Sequence, residues 1–157
     1  MKGLAVLVLT VLMIGCDVDN NNHGYGYDYD RITPLGIEYR NDGYAENGLT
    51  DYYLDKQFLK IYNCIQTQGA FDTPADPADV KFSIDLMVIS VHQIENSNRE
   101  ARHYHDPSLI VILDRDSPYH ITATKIALSH EYVHYILLQL TGWSSPEHVS
   151  AYFKLCY

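Results

Sequence analysis

The sequence predicts a small α+β domain, a short sheet with helices packed on it. Apolar residues recur at helical spacing around residues 51–69 and 122–141 and again near the end of the chain. Between the first two stretches lie two segments rich in β-branched residues and bounded by Asp, Pro and Asn, which read as strands. The order is therefore helix, small sheet, helix and closing helix, around the single core that about 110 residues can build.

Ahead of the domain the chain begins "MKGLAVLVLTVLMIGC". A lysine, an apolar run too short to span a bilayer comfortably and a small-residue end have the layout of an export signal, so residues 1–15 read as a signal peptide. Met13, Ile14, Gly15 and Cys16 resemble the lipobox of bacterial lipoproteins, whose cysteine becomes the lipid-modified first residue of the mature chain. The resemblance implies that Cys16 is lipidated and that the protein sits in the bacterial cell envelope, membrane-anchored and extracytoplasmic; the alternative is an ordinary secretory signal with a chance cysteine. The next stretch, "DVDNNNHGYGYDYDRITPLG", is rich in Asn, Asp, Gly and Tyr and has no apolar period. Residues 16–45 are accordingly expected to be a flexible polar tether, with His23 solvated, and residues 46–157 to be the domain.

The formal charge of −9 is spread along the chain without a basic stripe, which argues against nucleic acid and anionic lipid surfaces as partners. With Cys16 assigned to lipid, Cys64 and Cys156 remain. An oxidising compartment allows them to pair, closing a loop of about ninety residues and adding a few kcal/mol. The alternative is two buried free thiols.

The first helix is read in "TDYYLDKQFLKIYNCIQTQG", with Tyr53, Leu54, Phe58, Ile61, Cys64 and Ile65 on its apolar stripe, Thr50 or Asp51 as cap and Gly69 near its end. "FDTPADPAD" is a proline-broken loop. "VKFSIDLMVISVHQI" and "PSLIVILDRD" read as the two strands, with a partly helical first segment as the alternative, and "ENSNREARHYHDP" between them reads as a polar hairpin or loop. From Thr122 to Thr141 the pattern is helical, with Ile126, Val133, Ile136, Leu137 and Leu140 on one side and Gly142 placed for a left-handed cap. In "SSPEHVSAYFKLCY", Ser144 and Glu147 match a capping box, Pro146 falls in the first turn, and Val149, Phe153 and Cys156 share a face.

Within the second long helix stands "SHEYVHYILLQLTG", two histidines four positions apart with a glutamate directly after the first. Residues i and i+4 lie about 6 Å apart on one helix face, so His130 and His134 can aim imidazole nitrogens at one point. Two Zn–N bonds of about 2.1 Å fit that spacing, which makes Zn2+ the expected cofactor. Glu131, turned about 100° away, is the candidate general base for a water at the open position. A catalytic zinc needs a third protein ligand. The helix carries the chain about 12 Å past His134 and the following residues can return about 16 Å, so both His148 and Glu147 are within reach. His148 is preferred, because Glu147 already has a role as capping partner of Ser144.

The motif resembles that of the zincin metallopeptidases, and "HEYVHYILLQLTGWSSPEHVSAYFKLC" resembles a pattern of small bacterial lipoproteins of zincin type. The similarity covers mainly Leu109 to Cys156. It implies a zincin-like domain with a short sheet, an active-site helix and a closing helix, a zinc-dependent peptidase activity, and a peptide or protein substrate laid along a sheet-edge strand, for which "LIVILDRD" is the nearest candidate. Two departures stand out: the metzincin glycine after His134 is missing, and so is a third histidine at that family's short spacing. The competing readings are a non-catalytic zinc-binding lipoprotein with the same ligands, and an immunity or adhesive lipoprotein whose histidines bind nothing. Of the other polar residues, His103 and His105 alternate as on a strand and could form a second metal pair, but as two loop histidines they read as solvent-facing. Tyr152 reads as packing rather than as an oxyanion donor, and His120 as a substrate contact or part of a helix cap.

Overall fold

The computed structural model describes residues 28–43, 49–68, 86–91, 94, 101–105, 108–114, 120–142, 148 and 151–156. Among them are five strands and three helices, in the order β1 (Arg31–Ile32), β2 (Glu38–Asp42), α1 (Asp51–Thr67), β3 (Met87–Val91), β4 (Ala101–His105), β5 (Ser108–Leu113), α2 (His120–Thr141) and α3 (Tyr152–Leu155). The fold is thus mixed α and β. The strands form one sheet in the order β1-β2-β3-β5-β4. β2, β3 and β5 run parallel, and β1 and β4 flank them antiparallel.

β3 and β5 are apolar at nearly every position because both faces of the sheet centre are covered. Side chains alternate between the faces with the period of a strand. Val88, Ile110 and Ile112 pack under α1 and α2, while Met87, Ile89, Val91, Leu109 and Val111 form a second cluster on the other face.

The tether was drawn too long: from Arg31 the chain pairs into the sheet, and Leu35, Ile37 and Tyr39 are core residues. The Asp55 carboxylate accepts the Leu35 N–H at 3.0 Å, and Arg31 pairs with Asp51 at 2.9 Å, so the β1–β2 turn is tied to the start of α1. "ENSNREARHYHDP" is not all loop, since its second half supplies β4. Finally, "LIVILDRD" is not at an edge. β5 pairs with β3 on one side and β4 on the other, as a strand apolar on both faces should, and β4 is the edge strand.

α1 starts as expected, with the Thr50 side chain accepting the Tyr53 N–H at 3.2 Å. Leu54, Phe58, Ile61, Tyr62 and Ile65 are buried along it. The end assigned to Gly69 lies outside the described residues. α2 is buried on every side from Ala127 to Leu137, which is what a helix with apolar residues all round requires. Ile126, expected on the buried side, is 53% exposed because it precedes that run. Phe58 meets the Tyr132 ring edge-on at 5.3 Å, and Gln57 donates to the Ser129 hydroxyl at 2.7 Å, one residue before the first motif histidine. Among the described residues no helix is long and apolar enough to cross a membrane.

The closing helix is shorter than the sequence implied. It spans Tyr152–Leu155, and His148 has φ 54°, a left-handed backbone that no α-helix running through it can contain. Ser144, Pro146, Glu147 and Val149 lie outside the described residues. Cys156 follows α3 and forms the expected disulfide with Cys64 of α1, 92 residues away, with the two Cα atoms 5.5 Å apart.

Candidate metal centre

α2 places His130 and His134 one turn apart on the same face, with ring centroids 5.0 Å from each other. The helix ends as its sequence implied: Gly142 has φ 72° and donates its N–H to the Leu138 carbonyl at 2.8 Å. The chain then returns His148 to the two helix histidines. Its ring centroid lies 4.8 Å from that of His130 and 5.0 Å from that of His134.

The nitrogens converge more closely than the rings. Nε2 of His148 is 2.9 Å from Nε2 of His130 and 3.2 Å from Nε2 of His134, and one ligand atom from each of the three residues can be chosen so that all lie within 4.8 Å of one another. An imidazole nitrogen has one in-plane hydrogen or one lone pair, so a single Nε2 cannot make two in-line hydrogen bonds. A metal ion bound between the three nitrogens would account for both approaches. Ligands on tetrahedral bonds of about 2.1 Å stand about 3.4 Å apart, close to what is seen. The three histidines could therefore hold a metal ion, and imidazole ligands suit zinc, copper, iron and nickel alike.

The electrostatics agree with that use. Burial first, then the neighbouring His134 and His148, lower the pKa of His130 from 6.5 to about 3, and burial lowers that of His148 as well. A metal ligand must be the neutral imidazole, and His130 is neutral well below physiological pH. His130 and His134 are buried and His148 is half-buried. Glu131 is fully buried in the same turn of α2 as His130.

Phe153 of α3 completes the centre. Its ring packs against all three imidazoles, with centroids 5.1 Å from His130, 4.4 Å from His134 and 4.8 Å from His148. The apolar face of Phe153 was legible from its spacing to Cys156, but its position under three histidines was not. The left-handed backbone of His148 is the other unforeseen feature. Such a conformation in a non-glycine residue costs on the order of 1 kcal/mol or more and gathers where a side chain must be aimed.

The remaining polar residues fall as follows. His103, expected to face solvent, is buried on β4 and meets the Tyr135 ring edge-on at 5.8 Å, which puts the edge strand against α2 beside His134. Tyr152 packs, partly buried, against the core under the helices. Cys16, His23, Glu147 and the side chains of His105 and His120 lie outside the described residues. The chain matches no protein-family model, no curated protein and no solved structure, so the reading of this centre rests on its own residues and their geometry.

Proposed function

We propose that the protein is a zinc-dependent metallopeptidase of zincin type, anchored by lipid on Cys16 in the bacterial cell envelope and acting outside the cytoplasm. The observation that carries this reading is the convergence of the His130, His134 and His148 nitrogens on a helix that also bears Glu131. Zinc held there would supply a Lewis acid that polarises a peptide carbonyl and acidifies water. Glu131 is the base in this reading: its carboxylate takes a proton from the attacking water and passes it to the leaving amine. Neutral His130, His134 and His148 position the reaction, and Phe153 keeps their rings in place. β4 is the strand along which an extended peptide would pair, since it is the sheet edge that packs beside α2.

One observation favours a second reading, a closed zinc site without catalysis: Glu131 is 0% exposed, and a catalytic zinc keeps a position open to water and substrate. Glu131→Gln separates the two. In the peptidase it should leave zinc stoichiometry unchanged and lower peptide hydrolysis by roughly a hundredfold or more, measured on a quenched fluorescent peptide library. Hydrolysis by the wild type that survives this substitution at full rate excludes the mechanism. A wild type that binds zinc and cleaves nothing supports the closed site.

A further inference from the structure

We infer that the Cys64–Cys156 disulfide is a redox gate on the metal centre: closed, it holds His148 and Phe153 against the helix histidines, and open, it releases them and the metal while the rest of the domain stays folded. The inference rests on the metal reading above and concerns its regulation.

The centre is built from two parts that are held differently. His130 and His134 belong to the stretch of α2 that is buried on every side, so their positions do not depend on anything beyond the core. The third histidine and the aromatic ring beneath all three belong to the chain after Gly142. There α3 has four residues, too few to be stable as a helix by itself, and its N-terminal cap residue Ala151 makes no side-chain cap hydrogen bond. The covalent hold on this segment is at Cys156, three residues beyond Phe153.

The anchor at the other end is independent of the bond. α1 keeps Leu54, Phe58, Ile61, Tyr62 and Ile65 in the core whether or not Cys64 is paired. Opening the disulfide leaves α1 in place and removes the covalent hold on the closing segment, which then keeps only the packing of Tyr152, Phe153 and Cys156 on the core. Once freed, the segment has a reason to move: the left-handed backbone at His148 is disfavoured, and the His148 ring no longer has a fixed partner in Phe153. Tethering raises the effective concentration of a ligand, and loosening the tether lowers it without any ligand being changed. Cys64 is partly exposed, so a reductant can reach the bond.

The step balances with a dithiol as co-reactant. Its two thiols are oxidised to a disulfide, the Cys64–Cys156 bond is reduced, and the two electrons and two protons end on the cysteine sulfurs. In a reducing compartment both cysteines are thiols and the centre binds metal weakly. Oxidation after export closes the gate.

The test uses the full chain in three forms: oxidised, reduced by a phosphine (oxidised to phosphine oxide, and adding no zinc-binding thiol), and the double variant Cys64→Ser/Cys156→Ser. Zinc affinity is measured by competition with a chromophoric chelator, and amide hydrogen exchange is followed in residues 127–137 and 151–156. The expected result is zinc affinity on the order of ten- to a hundredfold weaker in the reduced and double-variant forms, the range for losing support of metal ligands. Exchange should rise in 151–156 and stay slow in 127–137. Equal affinity in all three forms overturns the gate and leaves the metal reading standing. Loss of protection in both segments together also overturns it, because the bond is then a staple for the whole fold. An oxidised protein that binds no zinc removes the metal reading, and the gate with it.

Discussion

The backbone of His148 provides a test of both its strain and its role, through paired replacement by glycine and alanine. At φ 54° an L-residue pays about 1–2 kcal/mol that glycine does not. Glycine in turn loses about 0.5–1 kcal/mol more than alanine in chain entropy on folding. The difference leaves His148→Gly ahead of His148→Ala by about 0.8 kcal/mol, within a range of roughly 0–1.5 kcal/mol, in metal-free protein, the reverse of the usual order. Both variants lack the imidazole that stands 2.9 Å from His130 and 3.2 Å from His134. At zinc a thousandfold above its dissociation constant the wild type gains about 4 kcal/mol, and a site weakened a hundredfold gains about 1.4 kcal/mol at the same zinc. Urea unfolding with zinc and with chelator measures every quantity. If metal-free His148→Ala is as stable as His148→Gly, the left-handed backbone is not the solution conformation. If zinc stabilises both variants as much as the wild type, His148 is not a ligand.

Three further outcomes are expected. The folded pKa of His130 is lowered to about 3 while the unfolded value is 6.5, so between those values the unfolded chain binds more protons. Metal-free stability should therefore fall as pH drops from 6.5 toward 3, by up to a few kcal/mol more in the wild type than in His130→Gln, and equal losses in urea midpoints would refute this. Ile126→Gln should change stability by no more than about 0.5 kcal/mol, whereas Leu137→Ala, at a buried position on the same helix, should cost about 2–5 kcal/mol. A large loss at Ile126 would mean that α2 is buried one turn further than described. For the anchor, Cys16→Ser should leave the chain unlipidated and shift it from the membrane to the soluble fraction on cell fractionation. Unchanged membrane association removes the lipoprotein reading.

The candidate metal centre was legible where the chemistry is local and obscure where it depends on distant chain. His130, Glu131 and His134 could be placed because motif and helix share one register, and the helix was announced by its apolar residues and by Gly142 at its end. Reach alone admits both His148 and Glu147 as a third ligand, and His148 is preferred over Glu147 only because Glu147 also matches a capping role. What brings His148 in is a left-handed backbone that residue type does not announce, and the capping-box pattern from Ser144 pointed instead to a helix that His148 interrupts. In the sheet, the strongest apolar signal was read as the substrate edge, although an edge strand is the one least able to be apolar on both faces. β4 is polar enough to pass for a loop, and β1 and β2 carry so many charges and turn residues that only Leu35, Ile37 and Tyr39 betray them. The disulfide was legible by elimination, but what it does was not. Its consequence depends on Phe153, whose one ring touches three histidines from a four-residue helix, and that arrangement ties the metal centre to α1 across 92 residues of chain.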